Sequence, residues 1–263
     1  MTDDRVHEAG RRLADTWLAA RPMDIFPEEL RARSRADAYA IQDAMAAVIG
    51  EPVIGWKLGA TSPTMRARAG HDGAIIGRVF ESVTFATPAE LSMARFPDSR
   101  VECEFAFRMH DAVPPRARPW TAAELAERVE LHVAVEIIGN RYPKGADSFK
   151  PTTNDEIADN GAGIGFVFGP AIPDWRRHDL RNVSVDIRVD DREPAENFLG
   201  ECRCDPIEAL VQAAGILGER GIGIASGQYV STGAATDPQP VRAGSVVHAR
   251  FASLGAIDIT FVD

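Results

Sequence analysis

The sequence has no long hydrophobic run: none of its apolar stretches approaches the ~18 consecutive residues of a membrane span. Met1 to Arg12 is polar and mixed in charge, without the apolar segment of a secretory leader. Cysteine is scarce, with three in 263 residues. That is too few for a closed disulfide framework, and no CxxC pair offers a thiolate zinc site. Free thiols in a reducing cytoplasm are expected. Positive charge is in short supply, with 29 Lys and Arg against 39 Asp and Glu and a net charge of -10. A nucleic-acid binder would carry a basic face, so neither nucleic acid nor membrane is expected as a partner. No GxSxG elbow, P-loop or HExxH motif occurs, and the six histidines fall without metal-ligand spacing. What is present is globular in texture, 45% apolar and 26% charged, at a length that suits one large domain.

The first third reads as helical. Val6, Leu13, Trp17 and Leu18 suit one face of a helix over 5–20. Ser34 is the expected N-cap of a second helix over 35–49, with Ala38, Ile41, Met45 and Val48 at three- and four-residue steps and Gly50 as its stop. From about residue 75, short apolar runs alternate with Gly, Pro and Asp, the texture of a largely β body. Strands are expected over 53–58, 78–85, 101–109, 131–138, 164–168, 183–189, 229–232, 245–251 and 256–262. Two later helices are marked by caps. Thr121 with Glu124 forms a capping box opening 122–130, and Asp205-Pro206 opens 207–217. The expected organisation is a helical region over 1–55 against a β-rich body over 56–263, in a single structural unit.

Three glutamates stand where charge is costly. In Val101-Glu102-Cys103-Glu104-Phe105-Ala106-Phe107, strand geometry puts Glu102 and Glu104 on one face and Cys103, Phe105 and Phe107 on the other. Two like charges on a half-buried face need a cation. Glu136 sits inside the apolar run from His132 to Ile138, where a carboxylate must be paired or bind a metal. Three carboxylates make an all-oxygen donor set that suits Mg²⁺ or Mn²⁺ rather than Zn²⁺. Lys57, in the Gly-bracketed strand Ile54 to Gly59, is a candidate acid or base with a lowered pKa beside a metal-bound anion. Gly161, Gly163 and Gly165 allow close backbone approach, and amides of such a loop can hold a carboxylate. Their spacing is not that of a dinucleotide-binding fingerprint.

Taken in order, these stretches resemble the hydratase/decarboxylase branch of the fumarylacetoacetate hydrolase superfamily, which includes 2-keto-4-pentenoate hydratases and 4-oxalocrotonate decarboxylases. The resemblance runs through Ala38-Tyr-Ala-Ile-Gln42, Gly55-Trp-Lys-Leu-Gly-Ala-Thr-Ser62, Glu102 to Phe107, Glu136-Ile-Ile-Gly-Asn-Arg-Tyr142, Ile157-Ala-Asp-Asn-Gly161, Ser231-Thr-Gly233 and Phe251-Ala-Ser-Leu-Gly255. It implies an α+β fold: a mixed β-sandwich or roll of the fumarylacetoacetase C-terminal type, preceded by helices, with the site in its mouth. It implies Glu102, Glu104 and Glu136 as ligands of Mg²⁺ or Mn²⁺, Lys57 as the active-site lysine, and Asn160, Gly161, Ser231 and Thr232 as substrate-binding positions. The implied substrate is a small unsaturated 2-oxo acid from the catabolism of aromatic compounds, and the implied assembly is a homo-oligomer.

One departure bears on the chemistry. Many hydratases of the branch carry an acid in a Pro-Asp-(Phe/Tyr)-Gly stretch, where this chain reads Ala74-Ile75-Ile76-Gly77. Asp72 is the expected substitute, with His71 beside it. The expectation is therefore a metal-dependent lyase that hydrates an unsaturated 2-oxo acid. Alternatives are a 2-oxo acid decarboxylase, a C–C bond hydrolase of the same superfamily, and a non-catalytic relative that binds metal and a small acid.

Overall fold

The structure is a computed structural model that describes residues 1–143 and 149–263. Two helices lead, α1 (Asp3–Leu18) and α2 (Arg35–Ile49), and they pack on each other. The Ser34 hydroxyl caps α2 by accepting from the Asp37 N–H at 3.1 Å, and Gly50 ends the helix in the left-handed conformation. Leu13, Trp17, Ala38, Ile41 and Met45 are buried, as their spacing requires. Leu18 and Val48 are not: they are 55% and 46% exposed. Leu18 is one residue past Trp17 and Val48 three past Met45, so both fall on the flank of a stripe that is only part of the helix circumference.

The body follows as β1 (Val53–Gly59), α3 (Pro63–Ala69), β2 (Ile75–Phe80), β3 (Thr84–Ala86), β4 (Ala89–Ser92), β5 (Arg100–Met109), α4 (Ala122–Ala126), β6 (Val129–Ile138), α5 (Thr153–Ala158), β7 (Gly163–Ile172), β8 (Asp186–Val189), α6 (Pro206–Glu219), β9 (Tyr229–Ala234), β10 (Gln239–Pro240), β11 (Val246–Arg250) and β12 (Ala256–Val262). One sheet runs β2-β1-β9-β5-β6-β7-β3, with β10 also on β5, and the second runs β4-β12-β11-β8. Parallel pairs β1–β9, β3–β7 and β4–β12 make both sheets mixed. This is the α+β architecture of two mixed sheets behind leading helices. The leading helices are tied to the body: Gln42 Nε2 donates to Ile76 O at 2.9 Å and to Ile157 O at 2.7 Å.

Several boundaries differ from the sequence reading. The capping box at Thr121 is present, but α4 stops at Ala126 and the chain is extended from Val129. Residues 129–138 pair with β5 over its full length, from Met109↔Val129 to Arg100↔Ile138, and that ladder overrides the local helix signal. The strand expected over 78–85 is divided between β2 and β3 by the single turn Glu81–Val83. Helices α3 and α5 and strand β4 had not been read from the sequence.

β5 and β6 occupy the middle of the larger sheet. Val101 to Phe107 and Leu131 to Ile137 are buried throughout. Charged groups on these two strands therefore stand inside the protein, and their partners decide what they do.

Candidate metal centre and cavity

The β5–β6 register places Glu102 directly opposite Glu136, and Glu104 lies two residues along on the same face of β5. Glu104 and Glu136 have no exposure and Glu102 has 8%. One carboxylate oxygen from each lies within 4.8 Å of the others. Gly163, at the start of β7, makes room for them: a Cβ there would stand 2.5 Å from Glu136 Oε1 and 2.7 Å from Lys57 Cε. Gly233, at φ 97°, presents its backbone N–H to Glu104 Oε2 at 3.2 Å.

The donors are not satisfied by the protein. Glu104 Oε1 and both carboxylate oxygens of Glu136 are buried without a hydrogen-bond partner among the described residues. Interior carboxylate oxygens without hydrogen bonds are costly, and one oxygen from each of three carboxylates standing this close together suits a hard divalent cation. Burial and the neighbouring Glu136 carboxylate push Glu102 up to about 8. Burial, then Glu136 and Glu102, push Glu104 well above the usual carboxylate range, and burial likewise raises Glu136.

Lys57 reaches the same point from β1. Its Nζ donates to Gly161 O at 2.6 Å and lies 3.3 Å from Glu136 Oε1. The sequence reading expected a lowered pKa, and the structure corrects it. Burial pulls the ammonium down, but Glu136, Glu104 and Glu102 outweigh burial and hold Lys57 above its ordinary value. Lys57 is thus a buried cation whose ion-pair partner is Glu136.

Lys57, Glu102 and Gly161 line a cavity of about 480 Å³ with Ile75, His71 and Glu156, a size suited to a small ligand. Ile75 puts an apolar wall where the resemblance expects an acid. Asp72 is not brought to this cavity. Its side chain is 71% exposed and pairs with Arg35 at 2.6 Å, because the turn before β2 directs it outward while His71 faces in. Asn160 spends its amide on backbone, accepting from Arg78 N–H at 2.7 Å and donating to Arg78 O at 2.9 Å. Its visible task is to hold the 159–163 turn against β2. Thr232 donates to Phe105 O at 2.8 Å, across the β9–β5 seam. Ser231 is fully buried and its hydroxyl has no partner among the described residues. Of these four positions, Gly161 alone lines the cavity.

Glu156 had not been singled out in the sequence. The signal was there: Thr152 and Asp155 form a second capping box, opening α5. That helix presents Glu156 to the cavity just ahead of the 159–163 turn. Its partner is His71, Nε2 to Oε2 at 3.4 Å.

The fold and the site define a protein with an enzyme-like interior: a mixed β-roll enclosing an acidic centre, one lysine and a small cavity. No family model matches the chain. Curated relatives do: a 4-oxalocrotonate decarboxylase from a Pseudomonas species is 29% identical over 80% of this chain and 79% of its own length. A 2-keto-4-pentenoate hydratase from Burkholderia vietnamiensis is 25% identical over the whole of both chains. Among solved structures, 4-oxalocrotonate decarboxylase from Pseudomonas putida G7, complexed with magnesium and adipate, matches with a TM-score of 0.87 at 21% identity, covering 100% of this chain and 99% of that one. The resemblance to 2-keto-4-pentenoate hydratases and 4-oxalocrotonate decarboxylases is borne out by these relatives.

The raised carboxylates make a testable statement about stability. Between pH ~4.5 and ~8 the folded protein binds more protons at Glu102 than the unfolded chain does, so stability falls as pH rises through that window. Melting of the metal-free protein is expected to drop from pH 5 to pH 8. Mg²⁺ should raise the melting temperature more at pH 8 than at pH 6, because at pH 6 it must displace protons. At a hundredfold excess over Kd the gain is about 2.7 kcal/mol. Glu104→Gln should abolish that gain while leaving the metal-free protein at least as stable as wild type, since it removes one of three crowded charges. Unfolding of Glu104→Gln, or an unchanged Mg²⁺ effect, would remove Glu104 from the metal centre.

Proposed function

We propose that the protein is a divalent-metal-dependent lyase acting on a small unsaturated 2-oxo acid of aromatic-compound catabolism, with hydration as the leading reaction. The observation that carries the reading is the buried cluster of Glu104 and Glu136, whose carboxylate oxygens lack hydrogen bonds among the described residues, behind Glu102 and Lys57, which line the cavity. Glu102, Glu104 and Glu136 would hold Mg²⁺ or Mn²⁺. The chemistry a bound ion supplies is Lewis-acid polarisation of the 2-oxo acid.

The chain's own residues then have separate tasks. Lys57, paired with Glu136 and held by Gly161 O, would face the negative charge that builds on the 2-oxo oxygen when a proton leaves the adjacent carbon. Gly161 O fixes the Lys57 ammonium at 2.6 Å, so that little rearrangement is needed as charge develops. Ile75 and the neighbouring apolar wall limit water around the substrate chain.

Decarboxylation is the second reading, favoured by Ile75: loss of CO₂ needs an electron sink more than a water-activating acid. Assay of the Mg²⁺-loaded protein on 2-hydroxypenta-2,4-dienoate and on 4-oxalocrotonate separates the two. Faster consumption of the first supports the hydratase. Turnover of neither, with Mg²⁺ bound, would leave the non-catalytic alternative.

We extend the proposal to a homo-oligomer in a reducing, cytoplasmic setting. Exposed Leu18, Ile25 and Val48 on the leading helical region support an interface, and free Cys103, Cys202 and Cys204 fit reducing conditions. Sedimentation as a monomer at micromolar concentration would count against the assembly. Among the described residues no helix is long and apolar enough to cross a membrane.

A further inference from the structure

A second titratable pair lies in the cavity, on elements that the three metal-centre glutamates do not use. Glu156 comes from α5, and His71 from the turn between α3 and β2. His71 Nε2 stands 3.4 Å from Glu156 Oε2, and its Nδ1 stands 2.8 Å from the Oγ1 of Thr153, three residues before Glu156 on α5. Thr153 thereby fixes the ring so that Nε2 addresses the carboxylate. The His71 side chain is 11% exposed and that of Glu156 35%. Both line the cavity with Lys57, Glu102 and Ile75. No other polar group among the described residues engages the Glu156 side chain. Burial raises Glu156, while His71 and Lys57 act against burial and Asp159 and Asp155 reinforce it.

We propose that Glu156, held by His71, is the proton-transfer group of this cavity, taking the task for which Ile75 has no side chain. The proposal rests on the reading of the cavity as a 2-oxo acid site. In enolisation the Glu156 carboxylate takes a proton from C3. The C–H electron pair forms the C2–C3 double bond and the carbonyl pair moves onto oxygen. In hydration Glu156 takes a proton from water as the water oxygen bonds to C4. The C3–C4 π pair shifts toward the carbonyl, and the proton passes on to C3, restoring the carboxylate and adding one water overall. Glu156 is the catalytic residue of the pair, and His71 is a positioning residue whose Nε2 stands 3.4 Å from its carboxylate.

The test uses the full chain loaded with Mg²⁺ and three measurements: exchange of the C3 protons of 2-oxobutanoate by NMR, affinity for oxalate, and the ¹³C titration of the Glu156 carboxyl without metal. Glu156→Gln is expected to slow exchange by about 10²–10³-fold while oxalate affinity stays within about threefold. His71→Asn should slow exchange less. It should also move the acidic limb of the pH profile and the Glu156 carboxyl titration to higher pH, because a group that lowers Glu156 has been removed. Merely structural roles would move neither. Adding Ile75→Asp to Glu156→Gln should restore part of the exchange. Wild-type exchange in Glu156→Gln with oxalate still bound would overturn the proposal alone. A wild type that binds no oxalate with Mg²⁺ would overturn the underlying reading of the cavity, and the proposal with it.

Discussion

Lys57→Met is expected to slow Mg²⁺-dependent exchange of the C3 protons of 2-oxobutanoate by about 10²–10³-fold, the usual loss when one preorganised donor to a developing oxyanion is removed. Unlike Glu156→Gln, it should also weaken oxalate binding, because a cation facing the oxygens acts on the bound anion as well as on the reacting state. The substitution has a second effect. Lys57 is the buried cation beside three buried carboxylates, 3.3 Å from Glu136 Oε1. Breaking a buried pair by removing one partner costs about 3–5 kcal/mol. The metal-free variant should therefore melt below wild type, and Mg²⁺ should recover most of that loss by replacing the missing positive charge. Exchange should not recover with it. Lys57→Arg keeps the charge, but its planar head must fit beside Gly163, where even a Cβ would stand 2.7 Å from Lys57 Cε. It should retain metal-free stability poorly and exchange slowly. Exchange in Lys57→Met at wild-type rate would remove Lys57 from the chemistry.

The metal centre was legible because a charge in an apolar β run is an anomaly with few physical solutions. Glu102 and Glu104 declared a shared face by their i, i+2 spacing, and Glu136 declared burial by its neighbours. Only their pairing was hidden: that Glu102 stands opposite Glu136 is a matter of register between strands some thirty residues apart, as long-range pairing must be. Lys57 was legible as a residue but not in its charge state, since its pKa is set by carboxylates from other strands. Asp72 and His71 could not be ranked from the sequence. Adjacent residues in a turn point in different directions, and the choice was made by partners elsewhere: Arg35 draws Asp72 outward, and Thr153 and Glu156 receive His71. Helices α3 and α5 escaped for a related reason. Each has seven residues or fewer, too short for periodicity to register, and each is stabilised by a cap, from Ser62 and Thr152, and by packing. The long helices and central strands, with many turns or full ladders behind them, were visible from spacing alone.

Arg203→Met is expected to lower stability by about 3–5 kcal/mol, from loss of a buried hydrogen-bonded charge and exposure of its acceptors. Arg203 is 2% exposed and ends no surface ion pair. Its Nη1 donates to Leu180 O at 2.9 Å and Val183 O at 2.8 Å, and its Nη2 to Asn197 Oδ1 at 2.6 Å and Ala235 O at 3.2 Å. The guanidinium lies 5.7 Å from the Phe105 ring centroid. Burial draws its pKa down to about 10, which still leaves it charged at neutral pH. One side chain thus joins the segment before β8, the segment before α6 and the end of β9. Methionine fills much of the volume but donates nothing, so buried carbonyls of Leu180 and Ala235 lose their guanidinium partner. The neighbour Cys202 lines the cavity, and its carbonyl accepts from Ser62 Oγ at 3.1 Å. Loosening Arg203 should therefore widen the cavity wall without touching a reacting group. For a chain of this size the loss corresponds to a fall in melting temperature of roughly 5–9 °C by calorimetry. At temperatures where the variant is folded, oxalate affinity should fall more than the rate of C3 exchange at saturation, the pattern of weakened uniform binding. Arg203→Lys should recover little, because a single ammonium cannot span four acceptors held by a planar fork. A melting temperature within a few degrees of wild type would show that the clamp is replaced by water and that the three segments hold together without it.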